Sequence, residues 1–179
     1  MADARYVFPA AVEGMLKGLG PRATAEFKAH LKAKGLDVEH VPPAIPMAVW
    51  TPYLRAAATF CWPEVAEEEA MRLLALHFIR GWQNTTMGSA MSVMLRLLGP
   101  ARTLTRLDRA FRTSDNFTRA TTELVGTNEA LVTINEVQGS PTYWVGILQG
   151  GLEVLGRTGE VTVHAVNLPS ATVRVIWAD

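Results

Sequence analysis

Between residues 117 and 177 the spacing of apolar positions runs alternating, then helical, then alternating again, which predicts two strands, a helix and two more strands. The first pair is TRATTELV and ALVTINEV, rich in Thr, Val, Ile and Leu and separated by Gly126-Thr127-Asn128, a connection of hairpin length and composition. Ser140 and Pro141 then offer an N-cap hydroxyl and a first helical residue, and Val145, Leu148, Leu152 and Leu155 recur at helical spacing up to Gly156. The second pair is EVTVHAV and ATVRVIW around Asn167-Leu168-Pro169-Ser170, with Val173, Val175 and Trp177 on one face and Thr172, Arg174 and Ile176 on the other. The expected unit is ββαββ, an antiparallel sheet with the helix across one face. Gly146, Gly150 and Gly151 are expected to let that helix approach the sheet closely.

Upstream the period is helical. Ala11 to Leu19 reads as a short helix ended by Gly20-Pro21, and Ala23 to Lys34 as an amphipathic one closed by a left-handed Gly35 with Leu36 as its apolar follower. Residues 38–50 carry three prolines and read as an extended connection, after which Thr51-Pro52 restarts a helix to about Cys61. Glu64, Glu67, Glu68 and Glu69 occupy the first turns of a longer helix reaching about Trp82, where negative charge is favoured. Gly88 to Leu98 is a further helix. After Gly99-Pro100, Ala101 to Arg112 has the sharpest amphipathic pattern, with Leu104, Leu107 and Phe111 inside and Arg102, Arg106, Arg109 and Arg112 outside or at the boundary. The fold class is α+β: a helical region over residues 6–116, six helices in all, then the sheet unit over 117–177, read as a single domain over 1–179.

Composition changes this picture little. The chain has 179 residues, 49% hydrophobic and 19% charged, which excludes disorder as its dominant state. Its charge-free stretches are too short, or too interrupted by Pro and Gly, to cross a bilayer. Glu13 and Lys17 stand where a signal peptide needs an apolar run, and the single cysteine, Cys61, fits a reducing compartment, so a cytoplasmic location is expected. Formal net charge is zero, so no global field gathers nucleic acid or anionic lipid, but six of the thirteen arginines lie between Arg96 and Arg119.

Candidate chemistry is sparse. His77, in LLALHFIRGW, can be weighed as an axial haem ligand, but neither a second ligand nor a Cys-x-x-Cys-His motif accompanies it, and a hydrogen-bonded histidine at a helix boundary is the better reading. His30, His40 and His164 are too scattered for zinc, so neither metal nor another cofactor is expected. No Gly-x-Ser-x-Gly elbow is present, Cys61 reads as a small core residue, and no catalytic residue is assigned. The arginines Arg102, Arg106, Arg109 and Arg112 can bind carboxylates, phosphates or an acidic partner, against the plainer alternative of a solvated helix face paired with Asp108 and Asp115. Met87, Met91, Met94, Phe78, Trp82, Tyr143 and Trp144 are either core or the lining of an adaptable apolar pocket.

Four stretches carry a resemblance over nearly the whole chain: YVFPAAVEGML, LKAKGLD, LLGPARTLTRLDRAFRTSDNFT and TYWVGILQGGLEVLG. They resemble a paralogous family of uncharacterised cytoplasmic proteins found in many copies in myxobacteria, known as a domain of unknown function. More weakly, the ββαββ ending with Tyr143 and Gly146 opening a helix is similar to the superfamily of 4-vinyl reductase domains, haem nitric-oxide-binding domains and trafficking-complex subunits. That resemblance implies a fold that holds a small or apolar ligand between helices and sheet, or that dimerises. The sheet carries no cysteine, a departure from vinyl-reductase-like sensors.

The expectation is therefore a regulatory or signalling module that binds a small apolar or anionic ligand, a homodimer mate or an acidic protein partner. Its candidate contacts are the four arginines with His77, Trp82, Met91 and Tyr143. The rival readings are a purely structural interaction or dimerisation module, and an enzyme of unassigned reaction.

Overall fold

A computed structural model describes residues 4–178, apart from the side chains at positions 86 and 87; Met87, one of the candidate pocket residues, lies outside what is described. The four expected strands form one antiparallel sheet in the order β3-β4-β6-β5, from β3 (Ala120–Gly126), β4 (Glu129–Ile134), β5 (Gly159–Asn167) and β6 (Ser170–Trp177). Two-residue side-chain alternation decides its faces. Ala130, Val132 and Ile134 of β4 and Ala171, Val173, Val175 and Trp177 of β6 are buried on one side. On the other, Thr133 and Thr172 pair hydroxyls at 2.9 Å, and Arg174 donates to Glu129 at 2.7 Å. The helix α7 (Pro141–Val154) packs on β5 and β6 and ends where Gly156 takes φ +70°, with Arg157 N donating to Leu152 O. The expected Ser140 side-chain cap is not formed: its hydroxyl lies 3.4 Å from Thr142 Oγ1 and its ψ of 82° falls short of an extended cap conformation.

Among the described residues six α-helices precede the sheet: α1 (Pro9–Leu19), α2 (Ala25–Ala33), α3 (Met47–Cys61), α4 (Glu67–Gln83), α5 (Thr86–Leu104) and α6 (Leu107–Phe111). The α+β architecture is as expected. Thr24 caps α2 by accepting from Phe27 N, and Gly35 at φ +104° closes it with Leu36 buried behind.

Three readings are corrected. First, α3 begins at Met47 rather than at Thr51. A short pairing of β1 (Tyr6–Val7) with β2 (Ile45–Pro46) delivers the chain to Met47, whose N–H donates to Arg5 O, so Pro52 is carried inside the helix. Second, Ala101 to Arg112 is not one helix. Gly99 adopts φ 74° and ψ 171° inside α5, and the chain turns again at Thr105-Arg106. The hydroxyl of Thr122 on β3 donates to Leu104 O at 2.8 Å, tying the end of α5 to the sheet at this turn. Third, Gly146 and Gly150 serve an approach of α7 to α4, not to the sheet: a side chain on Gly146 would meet Arg72 O at 2.1 Å and one on Gly150 would meet Ile79 Cβ at 2.8 Å. The α1–α4 crossing uses the same device, since a Cβ on Gly81 would lie 2.1 Å from Gly18 N.

Candidate ligand-binding pocket

Two rows of α7 side chains, Tyr143–Ile147–Gly151 and Trp144–Leu148–Leu152, repeat every four residues and so share one helix flank. They form one wall of a cavity of about 360 Å³, near the lower end of small-molecule sites. Phe78, Ile79 and Trp82 of α4, Met91, Met94, Leu95 and Leu98 of α5, and Leu104, Leu107 and Phe111 around α6 complete it. The cavity lies among helices rather than between helices and sheet: among the described residues none of β3 to β6 lines it, and α5, α6 and α7 each touch both cavity and sheet.

Two residues of this apolar lining carry a polar atom buried without a hydrogen-bond partner, Trp144 Nε1 and Thr103 Oγ1. Trp144 is 4% exposed, and its ring makes edge contacts with Phe111 at 5.2 Å and Tyr143 at 5.8 Å. Thr103 follows Gly99 by four residues. A helical threonine ordinarily bonds the carbonyl three or four residues back, as Thr105 does with Arg102 O and Ser92 with Gly88 O, but the Gly99 dihedrals rotate that carbonyl out of the ladder.

Asp115, also on the lining and buried, is fully engaged: it accepts from Phe117 N, Thr118 N and the Thr118 hydroxyl at 2.9, 2.6 and 2.7 Å. Burial, and secondarily this carboxylate, push the Tyr143 phenol well up from its ordinary range, so Tyr143 stays a neutral phenol.

The candidate residues separate clearly. Trp82, Met91, Tyr143, Arg106 and Arg109 line the cavity, the two arginines exposed at its mouth. Neither guanidinium has a hydrogen bond or ion pair among the described residues, whereas Arg112 pairs with Asp108 at 3.0 Å and Arg102 lies off the lining. The four therefore do not form the single helical stripe that their spacing suggested. His77 is also outside the cavity, and it sits within α4 rather than at a helix boundary. Its Nδ1 lies 3.2 Å from Gly18 O and its ring meets Trp62 at 5.2 Å, tilted by 45°, and Trp62 in turn carries the Arg22 guanidinium at 5.0 Å. Burial pulls the His77 pKa down, opposed by the Gly18 contact. Thr103 was missed by sequence reasoning; its signal was a threonine four residues after a Gly-Pro break. Among the described residues no cluster of three or more His, Cys, Asp or Glu can hold a metal, and no helix is long and apolar enough to cross a membrane.

The chain belongs to the family described as Protein of unknown function (DUF2378), matched over residues 5–178. No curated protein matches its sequence. Its fold is that of H-NOX domains. It is similar to the Fe(II) unliganded H-NOX protein from K. algicida, with a TM-score of 0.71 at 8% identity over 96% of this chain and 97% of that one. It is likewise similar to a doubly substituted Tt H-NOX, with a TM-score of 0.70 at 12% identity over 96% and 95%. An oxygen-binding H-NOX domain related to soluble guanylate cyclases superposes with a TM-score of 0.65 at 11% identity over 95% and 92% of the two chains.

Proposed function

We propose that this protein is a ligand-binding module of regulatory or signalling type, holding a small, mostly apolar molecule in the helix-walled cavity and doing so without haem. The observation that carries the reading is the apolar cavity of about 360 Å³ itself, among whose lining residues Trp144 has its N–H buried without a partner. A buried donor without an acceptor costs about 1–3 kcal/mol, which a ligand oxygen recovers.

Haem, the group that H-NOX domains of this fold bring into consideration, does not suit these residues. Its protein ligation draws on a histidine, a cysteine thiolate, a Met/His pair or a tyrosinate. No histidine or cysteine lines the cavity, His77 is held on the α1 side of α4, and burial opposes the phenolate form of Tyr143. The thioethers of Met91 and Met94 have no partner ligand there.

Signalling follows from the position of α5, which walls the cavity with Met91 and Leu95 and turns Val93 and Leu97, 64% and 84% exposed, away from the core one helical turn apart. Occupancy of the cavity bears on the helix that carries this apolar face. The same two residues favour the second reading, a homodimer through α5, which sedimentation would overturn by finding only monomer at high protein concentration.

The pocket is tested with the neutral dye N-phenylnaphthylamine, whose fluorescence rises in apolar sites. Wild type should bind it with saturable, single-site enhancement. Gly151→Leu, which places a side chain where a Cβ meets nothing within 4 Å on the cavity wall, should abolish binding while keeping the melting temperature. Equal binding by both proteins would overturn the proposal.

A further inference from the structure

We infer that the ligand is an apolar carboxylic acid whose acidic head is read by Arg106 and Arg109 and whose body carries an oxygen that accepts from Trp144 Nε1. The inference rests on the pocket reading above and adds the chemistry of the occupant. Seven of the thirteen arginines have a carboxylate counter-ion, among them Arg55 with Glu67, Arg72 with Glu69, Arg80 with Glu153, Arg174 with Glu129 and Arg112 with Asp108, and Arg22 and Arg96 donate to backbone carbonyls. Of the arginines with neither kind of partner, Arg106 and Arg109 stand together on the lining of the apolar cavity, whereas Arg102 and Arg157 lie off it. Arg106 sits in the turn before α6 and Arg109 on its first turn, so the two flank the cavity from two backbone settings.

The other charged group on the lining, Asp115, does not compete for them, since its oxygens already accept three hydrogen bonds. An acid with an apolar body therefore matches the site from both ends: guanidinium against carboxylate at the rim, hydrocarbon against Phe78, Leu95 and Leu148 within. A pure hydrocarbon body would leave the Trp144 N–H as it is. A hydroxyl, carbonyl or ether oxygen in the body removes that defect, and the Thr103 hydroxyl, equally unpartnered, is a second group able to meet it.

Displacement of N-phenylnaphthylamine separates the claims. Decanoate should displace the dye at a concentration roughly tenfold or more below that of decanol, as expected for charge-assisted hydrogen bonds, and decylamine should compete worst. Added salt should narrow the gap between decanoate and decanol. In Arg106→Gln/Arg109→Gln the advantage of decanoate should vanish with decanol unchanged; if that protein does not fold, the two single variants carry the same comparison. Among the monohydroxydecanoate isomers at least one should bind about fivefold or more tighter than decanoate, and Trp144→Phe, which keeps an aromatic ring and removes the donor, should erase that gain. Equal displacement by decanoate and decanol, or an advantage that survives loss of both arginines, overturns the acidic head while leaving the pocket reading intact. No isomer exceeding decanoate overturns the acceptor. Failure of the dye itself to bind wild type sinks the pocket reading, and this inference with it.

Discussion

The α7 helix has two flanks built to opposite rules. Against α4 it is pressed so closely that Gly146 and Gly150 have no room for a methyl group, with Arg72 O, Ala75 Cβ and Ile79 Cβ occupying the space. Five residues after Gly146, Gly151 faces the cavity, and a Cβ there would meet nothing within 4 Å. On the first flank small residues allow backbone-to-backbone contact, as between Gly18 and Gly81 of α1 and α4. On the second, large residues on every wall fail to meet. Trp144, whose N–H is buried without a partner, belongs to this second flank.

The largest test of the contrast is Gly146→Ala. Its methyl would overlap a backbone carbonyl that no side-chain rotation can move, so α7 must shift from α4, and denaturant titration should show a loss of roughly 3 kcal/mol or more. A loss under about 1 kcal/mol would mean that α7 and α4 are not in this contact. Next comes Leu148→Ala. Leu148 lies on the cavity lining yet is 2% exposed, so it is almost fully packed and a loss of about 2–5 kcal/mol is expected. Dye binding should persist in that variant, because the change enlarges the cavity.

Much of the tight half was legible in the sequence. Alternation over Thr172 to Trp177 fixed both faces of β6, because one face is buried and a slip of one residue would invert it. Gly35-Leu36 announced its cap through the one residue type that takes φ near +104° without penalty. The open half was not legible, for physical reasons that can be named. The pattern Leu104, Leu107, Phe111 is helical across Thr105-Arg106, where the backbone turns and a hydroxyl eighteen residues away, on Thr122, holds Leu104 O. The glycines of α7 were visible, but not which neighbour they served: Gly146 and Gly150 admit α4 while α7 meets the sheet elsewhere. The β1–β2 pair, two residues long on each side, leaves no period to read.

A smaller effect of opposite sign belongs to Gly151. Alanine there removes the backbone-entropy disadvantage of a mid-helix glycine and meets no neighbour, so Gly151→Ala should raise stability by about 0.5–1 kcal/mol, where the same change five residues earlier is the most damaging of the set. A destabilised Gly151→Ala would place another element against that flank and remove the cavity from consideration.

The smallest effect concerns pH and should be confined to the tight side. Of the chain's histidines, His77 is the one wedged between α1 and α4, at Gly18 O and under Trp62. Its pKa is lowered from 6.5 chiefly by burial, with the Arg80 and Arg22 charges adding and the Gly18 contact and Glu153 opposing. A folded-state value below the unfolded one means that the unfolded chain takes up a proton first. The stabilisation is complete above about pH 6.5 and fades as the pH falls through the lower folded value. Denaturation midpoints measured between about pH 7.5 and about pH 5 should therefore decline more steeply for wild type than for His77→Gln, which keeps a donor for Gly18 O but cannot titrate. Dye affinity should stay level over the same interval, because no histidine lines the cavity. Parallel pH slopes in the two proteins would show that the α1–α4 contact tolerates a charged imidazole, and a dye affinity that followed the wild-type slope would show that the two flanks of the bundle are coupled rather than independent.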